Sequence, residues 1–315
     1  MRKLLRIGCA ALLLTAAGAH AQSPDPDAAR IVTADIPRFW EAFDKAKPGF
    51  AAEPFQKLYL DRGTPGLQDF VQERIGSAEE LAKTVRTHPY YYASIRASTG
   101  RIAEMEKTIR ASFHALKNLY PDAVFPDVYF LIGRLTSGGT TSGRGLLIGA
   151  EMYGRTPGTP AEELSDWLRQ VIKPVEEIPH IVAHELIHFE QKSPEPKTLL
   201  AQSLREGSAD FLAELISGRH INAHVHAYAN PREAELWREF QGKMHGQDAK
   251  GWLYSPATGG RPQDLGYWMG YKIAKAYYDR TADKKHAIRD ILEIKDYDVF
   301  LAKSGYAQKF QGERR

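Results

Sequence analysis

From about residue 36 to 120, apolar side chains recur at three- and four-residue spacing, the period of helices that bury one face. IPRFWEAFDKA (36–46), GLQDFVQERIG (66–76), SAEELAKTVRTH (77–88) and RIAEMEKTIRASFHALKNLYP (101–121) all carry it. Ser77 with Glu80 three residues on fits a capping box. Tyr90, Tyr91 and Tyr92 read as buried aromatic packing. The pattern then changes. DVYFLIGRL (127–135) and GRGLLIGAEMY (143–153) are short β-rich runs separated by TSGGTTSGR, which reads as a flexible polar loop. They predict two strands of a small sheet. Beyond them, Thr159 with Glu162 predicts a capped helix to about Ile172, with Pro160 at its first position. Pro174 would end that helix, and Pro179 suits the first turn of the next. Further helices are expected over about 199–217 and in DLGYWMGYKIAKAYYDR (264–280). The expected class is α+β, predominantly helical, with no internal repeat and no linker between independent domains.

Composition changes this picture at the amino terminus. Arg2, Lys3 and Arg6 precede an apolar run of roughly a dozen residues, and Ala19-His20-Ala21 fits a small-residue cleavage site. The run is too short to span a membrane as a helix. The chain is therefore expected to be exported, periplasmic or secreted, with cleavage after Ala21. Cys9 follows Arg6-Ile7-Gly8, a poor lipid-attachment context, so no membrane anchor is expected. QSPDPDAAR (22–30) reads as a disordered lead. Without the three basic residues of the signal, the chain carries 39 basic and 39 acidic residues, and no basic field points to nucleic acid. Cys9 is the single cysteine. Any metal in the mature protein must be held by His, Asp or Glu.

Such a set is present in IPHIVAHELIHFEQ (178–191). His184 and His188 are four apart, so on a helix both imidazoles reach one ion from the same face. Glu185 sits about 100° round from His184 and can hold a water bound to that ion without ligating it. Downstream, SLREGSADFLAEL places Glu206 and Asp210 four apart, on a face otherwise made of small residues. Glu206 would complete a His₂Glu site for one Zn2+, leaving a fourth position for water. Asp210 would hydrogen-bond the outward nitrogen of a liganding histidine and fix its orientation. Failing Glu206, the third ligand would be another carboxylate or one of His220, His224 and His226.

At these residues the chain resembles the gluzincin, thermolysin-like metallopeptidases, which combine H-E-x-x-H with a downstream E-x-x-x-D. More narrowly it resembles the bacterial DUF2268-type predicted zinc-dependent proteases, through VYFLIG, LLIGAE, IVAHELIHFEQ, EGSADFLAEL and LGYWMGYKIAKAYY, roughly residues 120–280. The resemblance implies a zincin-like region over 121–315, behind a helical region over 22–120 and a signal over 1–21. It further implies an exported zinc peptidase acting on a peptide or protein substrate, with Glu185 as general base to the metal-bound water. Tyr267 and Tyr271 are its candidate oxyanion donors, with His224 or His226 behind them. The strand GLLIGAE is its candidate edge for pairing an extended peptide. Two other readings stand beside it: an inactive exported binding or scaffold protein that keeps the zincin fold, and a zinc hydrolase of a non-peptide amide or ester.

Overall fold

The computed structural model describes residues 22–254, 257 and 259–311. The expected signal over 1–21 lies outside them. Most described residues are helical, and they enclose one small mixed sheet, giving an α+β chain. A single apolar core runs from Ala29 to Tyr306.

The helical half forms as its periodicity dictates. Helix α1 (Asp35–Ala46) buries Phe39, Trp40 and Phe43, and Phe39 meets Phe55, Tyr59 and Tyr92 at ring-centroid distances of 5.4–5.8 Å. Such tilted and edge-on contacts suit aromatic quadrupoles. Helix α2 (Ala78–Thr87) starts at Ser77, whose hydroxyl accepts the Glu80 N–H at 3.2 Å. The capping box is only half closed, because the Glu80 carboxylate turns to Arg134 at 3.0 Å. Tyr91 and Tyr92 are buried, whereas Tyr90 is exposed. Residues 65–75 divide into one α-helical segment, Pro65–Phe70, and a π-helical turn, Val71–Ile75. Helix α3 (Glu106–Leu119) completes this half.

The sheet differs from expectation at three places. Its strands are β1 (Gln22–Ser23), β2 (Ile31–Val32), β3 (Phe125–Leu131), β4 (Gly139–Ser142) and β5 (Gly145–Gly149). β3 and β5, the two expected strands, run parallel with Val128 opposite Leu146. The segment expected as a flexible loop contains β4, antiparallel to β5 with Thr140 opposite Leu147. Its Gly, Thr and Ser carry no hydrophobic signal because an edge strand need not be buried on both faces. The segment 22–30 is ordered: β1 at its start pairs with β3, β2 just after it does the same, and buried Asp127 accepts the Arg30 backbone N–H at 2.8 Å and its Nε at 2.9 Å. A buried carboxylate needs such partners, and the polar lead supplies them. Finally, GLLIG lies between β3 and β4, so the exposed edge is β4.

The next helix starts later than its sequence suggests. Helix α4 (Asp166–Val171) is capped by Ser165, which accepts the Leu168 N–H. Thr159 instead closes a turn by accepting the Thr156 N–H at 2.7 Å. Two cap-like patterns stand six residues apart here, and the second one prevails. Helices α5 (Ile178–Glu190), α6 (Leu199–Ser217) and α7 (Leu265–Arg280) form where expected.

Candidate metal centre

α5 is apolar on most of its surface, burying Ile181, Val182, Leu186 and Ile187, which makes it an interior helix. Pro179 sits in its first turn, where a missing N–H costs nothing. α6 is capped by Thr198, whose hydroxyl accepts the Ala201 N–H, and ends at left-handed Gly218. It packs against α5 and also against α7. The contact with α7 depends on glycine. A Cβ at Gly207 would stand 2.2 Å from the Tyr271 nitrogen, and one at Gly270 only 1.7 Å from the Ser203 carbonyl oxygen. Small residues thus draw α6 towards α7, a partner the sequence did not suggest for them.

Between α5 and α6, three ligand atoms converge. His188 Nε2 is 3.1 Å and His184 Nε2 3.7 Å from the same oxygen, Glu206 Oε2. Among the described residues, His184, His188 and Glu206 are the group of three that could share an ion. His220, His224 and His226 are not part of it. The far sides of both imidazoles are committed. His184 Nδ1 lies 2.9 Å from Asp210 Oδ1, an ion-pair contact without the angle of a hydrogen bond. His188 Nδ1 lies 2.9 Å from Gln191 Oε1. That amide is oriented by its nitrogen, which donates to the Arg205 carbonyl at 2.8 Å and to Ser208 Oγ at 3.1 Å. The Gln191 amide oxygen places a hydrogen on His188 Nδ1, and both Nε2 atoms face the Glu206 carboxylate. Lone pairs aimed at one another need positive charge between them.

Without an ion, a proton on His184 fills that role. Burial opposes a charged His184, but the Asp210 and Glu206 carboxylates outweigh it and raise the imidazole to about 10. Burial likewise disfavours the Glu206 carboxylate, and His188 and His184 overcome it, holding Glu206 well below the usual range. A divalent cation of imidazole and carboxylate preference fits this donor set, with protons released as it enters.

The centre opens on a cleft of about 290 Å³ whose rim includes Arg74, Thr140, Glu185, Arg205, Tyr254 and Tyr267. Arg74 comes from the π-helical turn and donates to Thr140 Oγ1 at 3.2 Å. Glu185 points at β4, where a Cβ on Gly139 would fall 2.5 Å from its Oε1, so only glycine leaves room for it. Burial raises the Glu185 carboxyl against the lowering effect of His188 and His184. Tyr267 stacks on His184, with centroids 6.2 Å apart and planes 21° apart. Tyr271, one turn on, belongs elsewhere. Its hydroxyl donates to Glu214 Oε2 at 2.7 Å, and its ring stacks on His220 at 5.1 Å. His220 and His226 bring their Nε2 atoms to 2.6 Å. His220 Nδ1 accepts the Asn222 N–H at 2.9 Å, and Asn222 Nδ2 donates to Asp210 Oδ2 at 2.7 Å.

Three partners were missed by sequence reasoning. Gln191 was detectable, since it stands one helical turn after His188. Asn222 and Tyr254 reach the site from separate segments, and no local spacing marks either.

A family model described as Gliding motility protein GldB matches residues 21–245, well over half of the chain. The match includes α5 and α6 with His184, His188, Glu206 and Asp210, and it ends before α7. No curated protein and no solved structure matches the chain. The expected kinship with gluzincin and DUF2268-type metallopeptidases is overturned by this match. So are the zinc peptidase activity, the assignment as an enzyme, and the peptide or protein substrate as partner, because the matching family is one of motility proteins. The physical reason lies in what the spacing specifies. Two histidines four apart with an acid between them define a helix face able to hold an ion, and leave open what happens at its free position. The chain belongs to the GldB gliding motility protein family.

Proposed function

We propose that this protein is an exported, non-catalytic binding component of a gliding apparatus, in which one Zn2+ held by His184, His188 and Glu206 fastens α5 to α6. The observation that carries this reading is the convergence of both imidazole Nε2 atoms on Glu206 Oε2, at 3.7 and 3.1 Å. Gln191 holds the His188 Nδ1–H and Asp210 lies in ion-pair contact with His184 Nδ1, so each Nε2 is turned to Glu206 before any ion arrives. Outer partners of this kind set ligand direction and basicity in metal sites. Tetrahedral Zn2+ suits two imidazoles, one carboxylate oxygen and a water. The helix pair beside edge strand β4 supports a zincin-like architecture retained as a scaffold, and the family match supports a role among motility components.

The test has two parts. Purified protein is expected to contain close to one zinc per chain by elemental analysis, lost in His188→Ala. In gliding cells that depend on this protein, Glu185→Gln is expected to support movement as wild type does, whereas His188→Ala is not. Folded protein that neither contains nor takes up zinc would remove the metal from the proposal. A gliding defect in Glu185→Gln with zinc retained would remove the scaffold role.

A further inference from the structure

We propose that Tyr254 sets the metal preference of this centre by restricting Glu206 to one ligating oxygen, an inference that rests on the cation-binding reading above. The two carboxylate oxygens have different partners. Oε2 faces His188 and His184, while Oε1 accepts the Tyr254 hydroxyl at 3.1 Å. Burial does not explain why Tyr254 is there, since the residue is 66% exposed. Its backbone is held at φ 55°, a left-handed conformation in which a Cβ crowds the following carbonyl oxygen. The Tyr254 N–H donates to Asp264 Oδ1 at 3.2 Å, and Asp264 is itself left-handed at φ 62°. Exposed aromatic surface and an unfavourable tyrosine backbone angle are thus maintained around one contact, the phenol on Glu206. Strain of this kind points to a positional requirement.

The contact has a chemical consequence. With Oε1 engaged by an O–H donor, Glu206 presents a single oxygen, and the protein supplies two nitrogens and one oxygen. Three ligands and a water make the four-coordinate geometry that Zn2+ and Co2+ accept, whereas Mn2+ prefers six ligands, mostly oxygen. Without the phenol, the carboxylate is free to chelate through both oxygens, adding a ligand and favouring the larger ion.

Tyr254→Phe removes one oxygen and leaves the exposed ring in place. Co2+ is titrated into metal-free full-length wild type and variant, reading the visible d–d absorption, and Zn2+ and Mn2+ dissociation constants are measured by competition. Wild type is expected to show the intense band of four-coordinate cobalt. Tyr254→Phe is expected to show a band several-fold weaker, and its preference for Zn2+ over Mn2+ is expected to fall by about 10-fold, the lower end of outer-partner effects. An unchanged band with unchanged preference overturns the role of Tyr254 and leaves the metal centre standing. Loss of all Co2+ uptake in the variant alone makes the phenol a ligand and also overturns it. Wild type that takes up no Co2+ defeats the centre itself.

Discussion

Asp210 and Gln191 never reach the proposed ion, yet each stands 2.9 Å from the far nitrogen of a histidine that would. Asp210→Ala and Gln191→Leu are each expected to weaken zinc by about 10- to 100-fold, measured against a chromophoric chelator. Glu206→Ala is expected to abolish stoichiometric binding. Equal affinity in Gln191→Leu and wild type would show that the Arg205 carbonyl and Ser208 do not orient the His188 imidazole through that amide. At this scale the sequence was informative where the constraint is periodic: His184 and His188, like Glu206 and Asp210, are four residues apart, and the two pairs are in contact. It was silent where the constraint is tertiary. Tyr267 and Tyr271 look equivalent in GYWMGY, but one turn of helix sends Tyr267 to His184 and Tyr271 to Glu214.

The elements show the same division. α5, α6 and α7 are long apolar stretches, so their existence could be read directly. β4 could not, because Gly-Thr-Thr-Ser has no burial signal and becomes a strand only through β5. The helix expected from Thr159 shows how a local cap loses to a better-placed one at Ser165. Packing between elements gives a sharper prediction. Gly270→Ala places a methyl within 1.7 Å of the Ser203 carbonyl oxygen, on backbone that cannot rotate aside. A loss of about 1–3 kcal/mol or more in chemical denaturation is expected, typical of overpacking. Gly143→Ala, with nothing within 4 Å of its new Cβ, is the control.

For the whole molecule, acidity acts at Glu151 as well as at the metal centre. Glu151 is fully buried, and its two oxygens accept the Gly133 and Leu135 N–H groups at 2.8 and 3.2 Å. Burial raises its carboxyl to about 7, despite those backbone hydrogen bonds. The folded state therefore keeps a proton that the unfolded chain releases near 4.5. Stability from this group is full below pH 4.5 and is lost as pH rises to about 7, by up to about 1.4 kcal/mol per pH unit. Glu151→Gln is expected to flatten that decline and to cost about 1–3 kcal/mol at acidic pH, since an amide nitrogen would face an N–H. Denaturant titrations at several pH values check both. Zinc at 100 times its dissociation constant should add about 2.7 kcal/mol, seen as a rise in Tm that chelator reverses. The helical α+β class was legible from periodicity alone, but the family was not, because a four-residue spacing records a geometry that unrelated proteins can share. His188 and Glu206 are 18 residues apart in a chain whose single cysteine is Cys9. An ion gripped by both would act as a covalent staple does, tying off a short loop and withholding conformational freedom from the unfolded ensemble, worth about 3 kcal/mol for a loop near 15 residues.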